Sequence, residues 1–196
     1  ELDHAIVYNK PHQKLLAGFI NKPKAFNLRA QAWELLHKTL SSPLRGLLGA
    51  RIELIPHQLY IAREVTARRH PRVLLSDEVG LGKTIEAALI FHRLFVTGEV
   101  SRVLILVPGP LVTQWLTELF RKFNVLFNIM TEEHAEELAT VHPDMNPYLA
   151  HQCVLQNIDE LVDEEALSTQ VVDAEWDLVI VDEAHHLYWS EQGCSR

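Results

Sequence analysis

The 196-residue sequence predicts an α/β fold, a parallel sheet covered by helices on both faces and preceded by a partly helical lead-in. Three observations point there. From about residue 51 onward, short apolar runs alternate with stretches whose apolar residues recur at helical spacing. Runs such as Leu178-Val179-Ile180-Val181 are apolar without interruption, the mark of a strand buried on both faces. Successive runs are separated by enough chain for a crossover helix, which parallel neighbours require.

Residues 1–50 lack that alternation. They carry Pro11, Pro23 and Pro43 with Gly18, Gly46 and Gly49, and one good helix around Leu28 to Leu40. Ala32, Leu35, Leu36 and Leu40 form its apolar stripe, and Pro43 stops it. This segment is expected to brace the domain from outside or to end a preceding module, leaving residues 51–196 as the domain proper. A helix follows from Pro56 to Arg69, with proline suited to its first turn. Next come a strand at 72–76 and a helix at 83–96, with Ile85, Ala88, Leu89, His92 and Val96 on one side and Gly98 as its C-terminal cap. Strand 102–107, helix 110–122, strand 125–130 and an acidic helix at 132–139 continue the pattern. A loop through Pro143 and Pro147 leads to strand 152–155, acidic helix 158–167 and strand 177–181.

Between the first strand and its helix lies Asp77-Glu78-Val79-Gly80-Leu81-Gly82-Lys83-Thr84. A strand, a glycine-bearing turn and a helix start together cradle phosphate. Backbone N–H groups point inward, the helix N-terminus adds partial positive charge, and Lys83 reaches the outer phosphates. Gly80 and Gly82 suit the cradle because a Cβ would obstruct close approach of backbone to phosphate. The strict pattern wants glycine where Asp77 stands, so only the GxGK[ST] core matches.

About a hundred residues on, Asp177-Leu178-Val179-Ile180-Val181 ends in the carboxylates Asp182 and Glu183. Ligands of open α/β sheets bind at the carboxyl ends of strands, where this pair emerges. Thr84 and Asp182 are the expected Mg²⁺ ligands, directly or through water, and Glu183 the expected base for an attacking water. Taken alone the pair could be a solvated turn; the upstream Gly-Lys-Thr is what makes it a candidate site. The two motifs and the alternation together describe a RecA-like phosphate-loop lobe.

The strings DEVGLGKTIEA (Asp77 to Ala87) and VDEAHHLYWS (Val181 to Ser190) resemble those of superfamily 2 helicase-like ATPases of the Swi/Snf type. Within that group they look most like the RapA-type branch, bacterial ATPases associated with RNA polymerase. Ile55 to Ala62 and Arg102 to Pro108 extend the likeness over most of the chain. The resemblance implies a DEAH box at Asp182, Glu183, Ala184 and His185, and adenine recognition by Gln58, whose carboxamide can match a donor and an acceptor on the base. It implies ATP and Mg²⁺ as cofactors, RNA polymerase and double-stranded DNA (or RNA) as partners, a bacterial cytoplasmic setting, and a role in freeing polymerase for further rounds of transcription. It also implies a second RecA-like lobe, bearing the arginine fingers, beyond Arg196; without it the chain is expected to bind nucleotide weakly and to be nearly inactive. After Pro108 the family continues into a polar, nucleic-acid-facing segment, whereas Gly109 to Trp115 carries no charge. Thr113 and Gln114 remain candidate phosphate contacts. Trp115, at helical spacing from Leu111 and Leu119, reads as core.

Charge is unevenly spread. Residues 1–72 hold 12 Lys/Arg against 5 Asp/Glu, whereas residues 73–196 hold 6 against 21, for a net charge of −8. That balance argues against a freestanding nucleic-acid binder, although Arg63, Arg68, Arg69 and Arg72 could face a phosphate backbone. Cys153 and Cys194 lack metal-ligand spacing, and Cys153 reads as a small buried hydrophobe. No run is long enough to span a bilayer. Alternatives are a strand-separating helicase, a restriction-type translocating subunit, and a non-catalytic adaptor docking on polymerase.

Overall fold

The computed structural model describes residues 22–40, 45–47, 49–53, 55–76, 82–163, 165–186, 189–190 and 193–194, together with Leu16 and Ser42. The chain divides into two compact units, Glu1–Pro43 and Leu44–Arg196. In the first, helix α1 (Pro23–Leu40) begins five residues ahead of the expected start, with Pro23 in its first turn. Phe26, Trp33, Leu35 and Leu36 on it are exposed.

The second unit starts seven residues ahead of the expected boundary, because Leu47 is buried in its core. Gly46 explains how the chain comes so close. It holds φ +77°, and a Cβ there would stand 2.9 Å from the Arg93 Cα. Its carbonyl oxygen lies 2.7 Å from His92 Nδ1.

Helices α2 (Pro56–Thr66) and α3 (Lys83–Thr97) pack together on one side of a sheet. Helix α2 stops three residues early, where Thr66 turns its hydroxyl back onto the Ala62 carbonyl. Helix α3 ends as expected, at Gly98 in the left-handed conformation, whose cap N–H groups reach Leu94 and Phe95. The sheet contains β1 (Val103–Val107), β2 (Asn128–Met130), β3 (Cys153–Asn157) and β4 (Leu178–Val181) in the order β2-β3-β1-β4, all parallel. Between them run α4 (Val112–Phe123), α5 (Glu132–Val141), α6 (Ile158–Asp163) and α7 (Glu165–Asp173).

The pleat divides the core. Val103, Ile105 and Val107 of β1, with Cys153 and Leu155 of β3, pack with α2, α3 and the Trp115, Leu119 and Phe123 stripe of α4. Leu104 and Val154, pointing the other way, pack with Met130, Ala135, Tyr148 and Val171. Both faces of β1 and β3 are covered, whereas β4, expected to be buried on both faces, lies at the end of the described sheet with Val179 exposed. Cys153 is buried as expected, and burial pushes its thiol up to about 11. The N-terminal ends of β1 and β4 are pinned together: the Asp177 carboxylate accepts from the backbone N–H groups of Ser101 (2.8 Å) and Arg102 (2.9 Å). The Arg102 guanidinium bonds the Tyr148 and Ala174 carbonyls and lies 4.8 Å over the Trp176 ring.

Three expectations need correction. Residues 71–76 form no strand. Val73, Leu74 and Leu75 line a cavity together with Leu178–Val181 rather than pairing with β4. The strand expected at 125–130 pairs only over Asn128–Met130, after Asn124 has closed α4 in the left-handed conformation. The helix expected to end at 167 reaches further, with helical residues described over Ile158–Asp163 and Glu165–Asp173. Among the described residues no helix is long and apolar enough to cross a membrane.

Candidate functional site

Helix α3 begins at Gly82, which adopts φ +89° and provides no side chain to cap the first turn. The first N–H groups of α3 therefore need partners from elsewhere, at the positive end of a 15-residue helix. Lys83 and Thr84 sit in that turn. Asp77, Glu78, Val79, Gly80 and Leu81, expected to complete the cradle, lie outside the described residues.

Strand β4 ends at Val181, and the Asp182 backbone N–H still bonds the Leu106 carbonyl at 2.9 Å. The chain then turns sharply. Glu183 adopts φ +50°, unusual for a residue with a side chain, before a short 3-10 turn at Ala184–His186. The two adjacent carboxylates acquire different partners. Asp182 Oδ2 accepts the indole N–H of Trp115 at 2.7 Å, and its Oδ1 accepts the Glu183 backbone N–H at 2.9 Å. Glu183 Oε2 lies 3.1 Å from His185 Nδ1.

Lys83 and Thr84 on one side, and Asp182, Glu183, Ala184 and His185 on the other, line one cavity of about 750 Å³. That volume lies within the range of small-molecule sites. Its donor set is a primary ammonium, a hydroxyl and two carboxylates, with the N–H groups of a helix start. Cations and N–H donors suit phosphate, and hydroxyl and carboxylate oxygens suit a hard divalent ion such as Mg²⁺. The residues present therefore fit a magnesium-bound nucleoside triphosphate.

Other expected residues lie apart from the cavity or at its edge. Gln58 is 3% exposed and does not line it; its amide nitrogen stands 2.6 Å from where a Cβ on Gly82 would be. Thr113 and Gln114 are exposed in the first turn of α4, and Gln114 donates to Glu118 at 3.2 Å. Trp115 is core, 2% exposed, and also lines the cavity through its bond to Asp182, a role that spacing does not reveal. Arg72 adds a second cation to the lining, and basic composition alone did not separate it from Arg68 and Arg69.

A parallel α/β sheet with a helix-start lysine and a strand-end acid pair on one cavity defines a helicase-like lobe of superfamily 2. The chain belongs to the family described as the type III restriction enzyme res subunit, whose sequence profile matches residues 51–193. Among solved structures it is similar to the Sulfolobus solfataricus SWI2/SNF2 ATPase core in complex with dsDNA, with a TM-score of 0.56 and 20% sequence identity. The match covers 70% of this chain and 27% of that one, so the chain spans about a quarter of its structural neighbour.

Proposed function

We propose that this chain is the first RecA-like lobe of an ATPase that translocates on double-stranded nucleic acid. One observation carries the reading. Lys83–Thr84 and Asp182–Glu183, about a hundred residues apart in the chain, line the same cavity. Lys83 and the first N–H groups of α3 bind the outer phosphates, while Thr84 and Asp182 hold the metal. When bound, Mg²⁺ neutralises charge developing on the phosphoryl oxygens. Glu183 accepts a proton from the attacking water as the bond to the departing diphosphate breaks and the new P–O bond forms. The His185 contact holds the Glu183 carboxylate, and the Trp115 and His185 contacts draw the two acids apart, so that one can serve the metal and the other the water. Adenine recognition by Gln58 rests on the resemblance; its contact with Gly82 couples it to the cradle.

RNA polymerase as partner, and recycling of polymerase as outcome, are supported by the likeness of DEVGLGKTIEA and VDEAHHLYWS to the polymerase-associated branch. Thr113 and Gln114, exposed at the start of α4, are the proposed backbone contacts, and the dsDNA-bound neighbour supports a duplex. A second reading, a restriction-type translocating subunit, is favoured by the family match over residues 51–193. ATP turnover by the two-lobed protein that this reading implies, measured with duplex DNA, forked DNA and purified polymerase, tests both. Duplex-stimulated hydrolysis without strand separation, together with polymerase binding, is expected; unwinding of the fork overturns the translocase reading, and ATP-dependent cleavage of the duplex selects the restriction one.

A further inference from the structure

We infer that Trp115 is a positioning residue for the metal carboxylate and ties the nucleic-acid-facing turn of α4 to it. The inference rests on the reading above, in which Asp182 holds Mg²⁺. Trp115 is 2% exposed, and a buried indole N–H needs an acceptor. It finds one 67 residues away, in Asp182 Oδ2 at 2.7 Å, a charge-assisted length. Indole is a donor only, so in this pair the carboxylate oxygen is the acceptor. With Oδ1 taken by the Glu183 N–H, both oxygens are oriented, and each keeps a lone pair for a metal or its water. Partners of this kind fix a ligand's direction, and losing one typically costs about 10–100-fold in metal affinity.

The location of Trp115 adds a second consequence. Thr113 and Gln114 immediately precede it and are exposed, while Leu119 and Phe123, one and two turns on, anchor α4 in the core. A displacement of the first turn of α4 by a bound phosphate backbone would move the indole and hence Asp182. Trp115→Phe keeps an aromatic ring in the core and removes the N–H together with one of the two fused rings, so packing loss is read in EDTA and loss of the hydrogen bond in the gain from Mg²⁺.

The test compares nucleotide affinity with Mg²⁺ and with EDTA in wild type and Trp115→Phe, alongside the indole ¹H–¹⁵N signal lost in that variant. The expected result is unchanged affinity in EDTA, a roughly tenfold smaller gain from Mg²⁺, and a wild-type Trp115 signal that moves when Mg²⁺ joins the nucleotide and again when duplex DNA is added. An unaltered Mg²⁺ gain in Trp115→Phe overturns the positioning role while leaving the nucleotide site standing. Wild-type protein that gains no affinity from Mg²⁺ sinks the site and this inference together. If Trp115→Phe does not fold, the wild-type signals decide, with the indoles of Trp33, Trp176 and Trp189 assigned by their own Phe variants; a fourth signal indifferent to Mg²⁺-nucleotide overturns the inference.

Discussion

The carboxamide nitrogen of Gln58 lies 2.6 Å from the point where a Cβ on Gly82 would stand. Two elements thus meet at a glycine: α2, which carries Gln58, and the start of α3, which carries Lys83 and Thr84. Gly82 is constrained twice over, by its φ of +89° and by this close approach.

Gly82→Ala should accordingly disturb the helix start and dislodge Gln58. Part of the clash can be relieved, since the obstructing atom ends a flexible side chain, but the left-handed backbone cannot. The expected outcome is a stability loss of about 1–2 kcal/mol and nucleotide binding weakened by about tenfold, equivalent to ~1.4 kcal/mol. Titration with a fluorescent ATP analogue, beside thermal unfolding, checks both; wild-type affinity in the variant would remove Gly82 from the site.

Acid sensitivity follows from Asp177. The backbone N–H of Arg102, then that of Ser101, hold its carboxyl below the usual carboxylate range, helped by the Arg102 charge. A pKa depressed on folding stabilises the protein above the unfolded value and is lost as pH falls through the folded one. Asp177→Asn should therefore lower the unfolding temperature at neutral pH, and the gap to wild type should close as pH drops below the unperturbed 3.8. Melting curves from neutral to strongly acidic pH measure this, and a gap independent of pH would show that the carboxylate charge is immaterial.

Much of this lobe is legible in the sequence, for reasons that differ by residue. Strands β1 and β3 announce themselves because burial on both faces favours apolar runs; β4 carries such a run too, yet lies at the end of the described sheet with Val179 exposed. Gly98 marks the end of α3 because an αL cap favours glycine. Val73-Leu74-Leu75 has the same apolar character as those strands, yet pairing depends on a neighbour's position, which local pattern does not carry; these residues line a cavity instead. Trp115 shows a similar limit. Its spacing with Leu111 and Leu119 points to burial, but nothing local to α4 points to a carboxylate 67 residues away. Motif chemistry alone links Lys83 with Asp182, because phosphate and Mg²⁺ require both kinds of group.

The central claim is that the glycine-bordered helix start and the strand-end acids form one hydrolytic site. ATP affinity and single-turnover hydrolysis, measured side by side for Lys83→Ala and Glu183→Gln in the two-lobed protein, test it most directly. The account predicts weakened nucleotide binding in Lys83→Ala, and in Glu183→Gln retained binding with turnover reduced by about 10² or more. Hydrolysis at the wild-type rate in Glu183→Gln would contradict it.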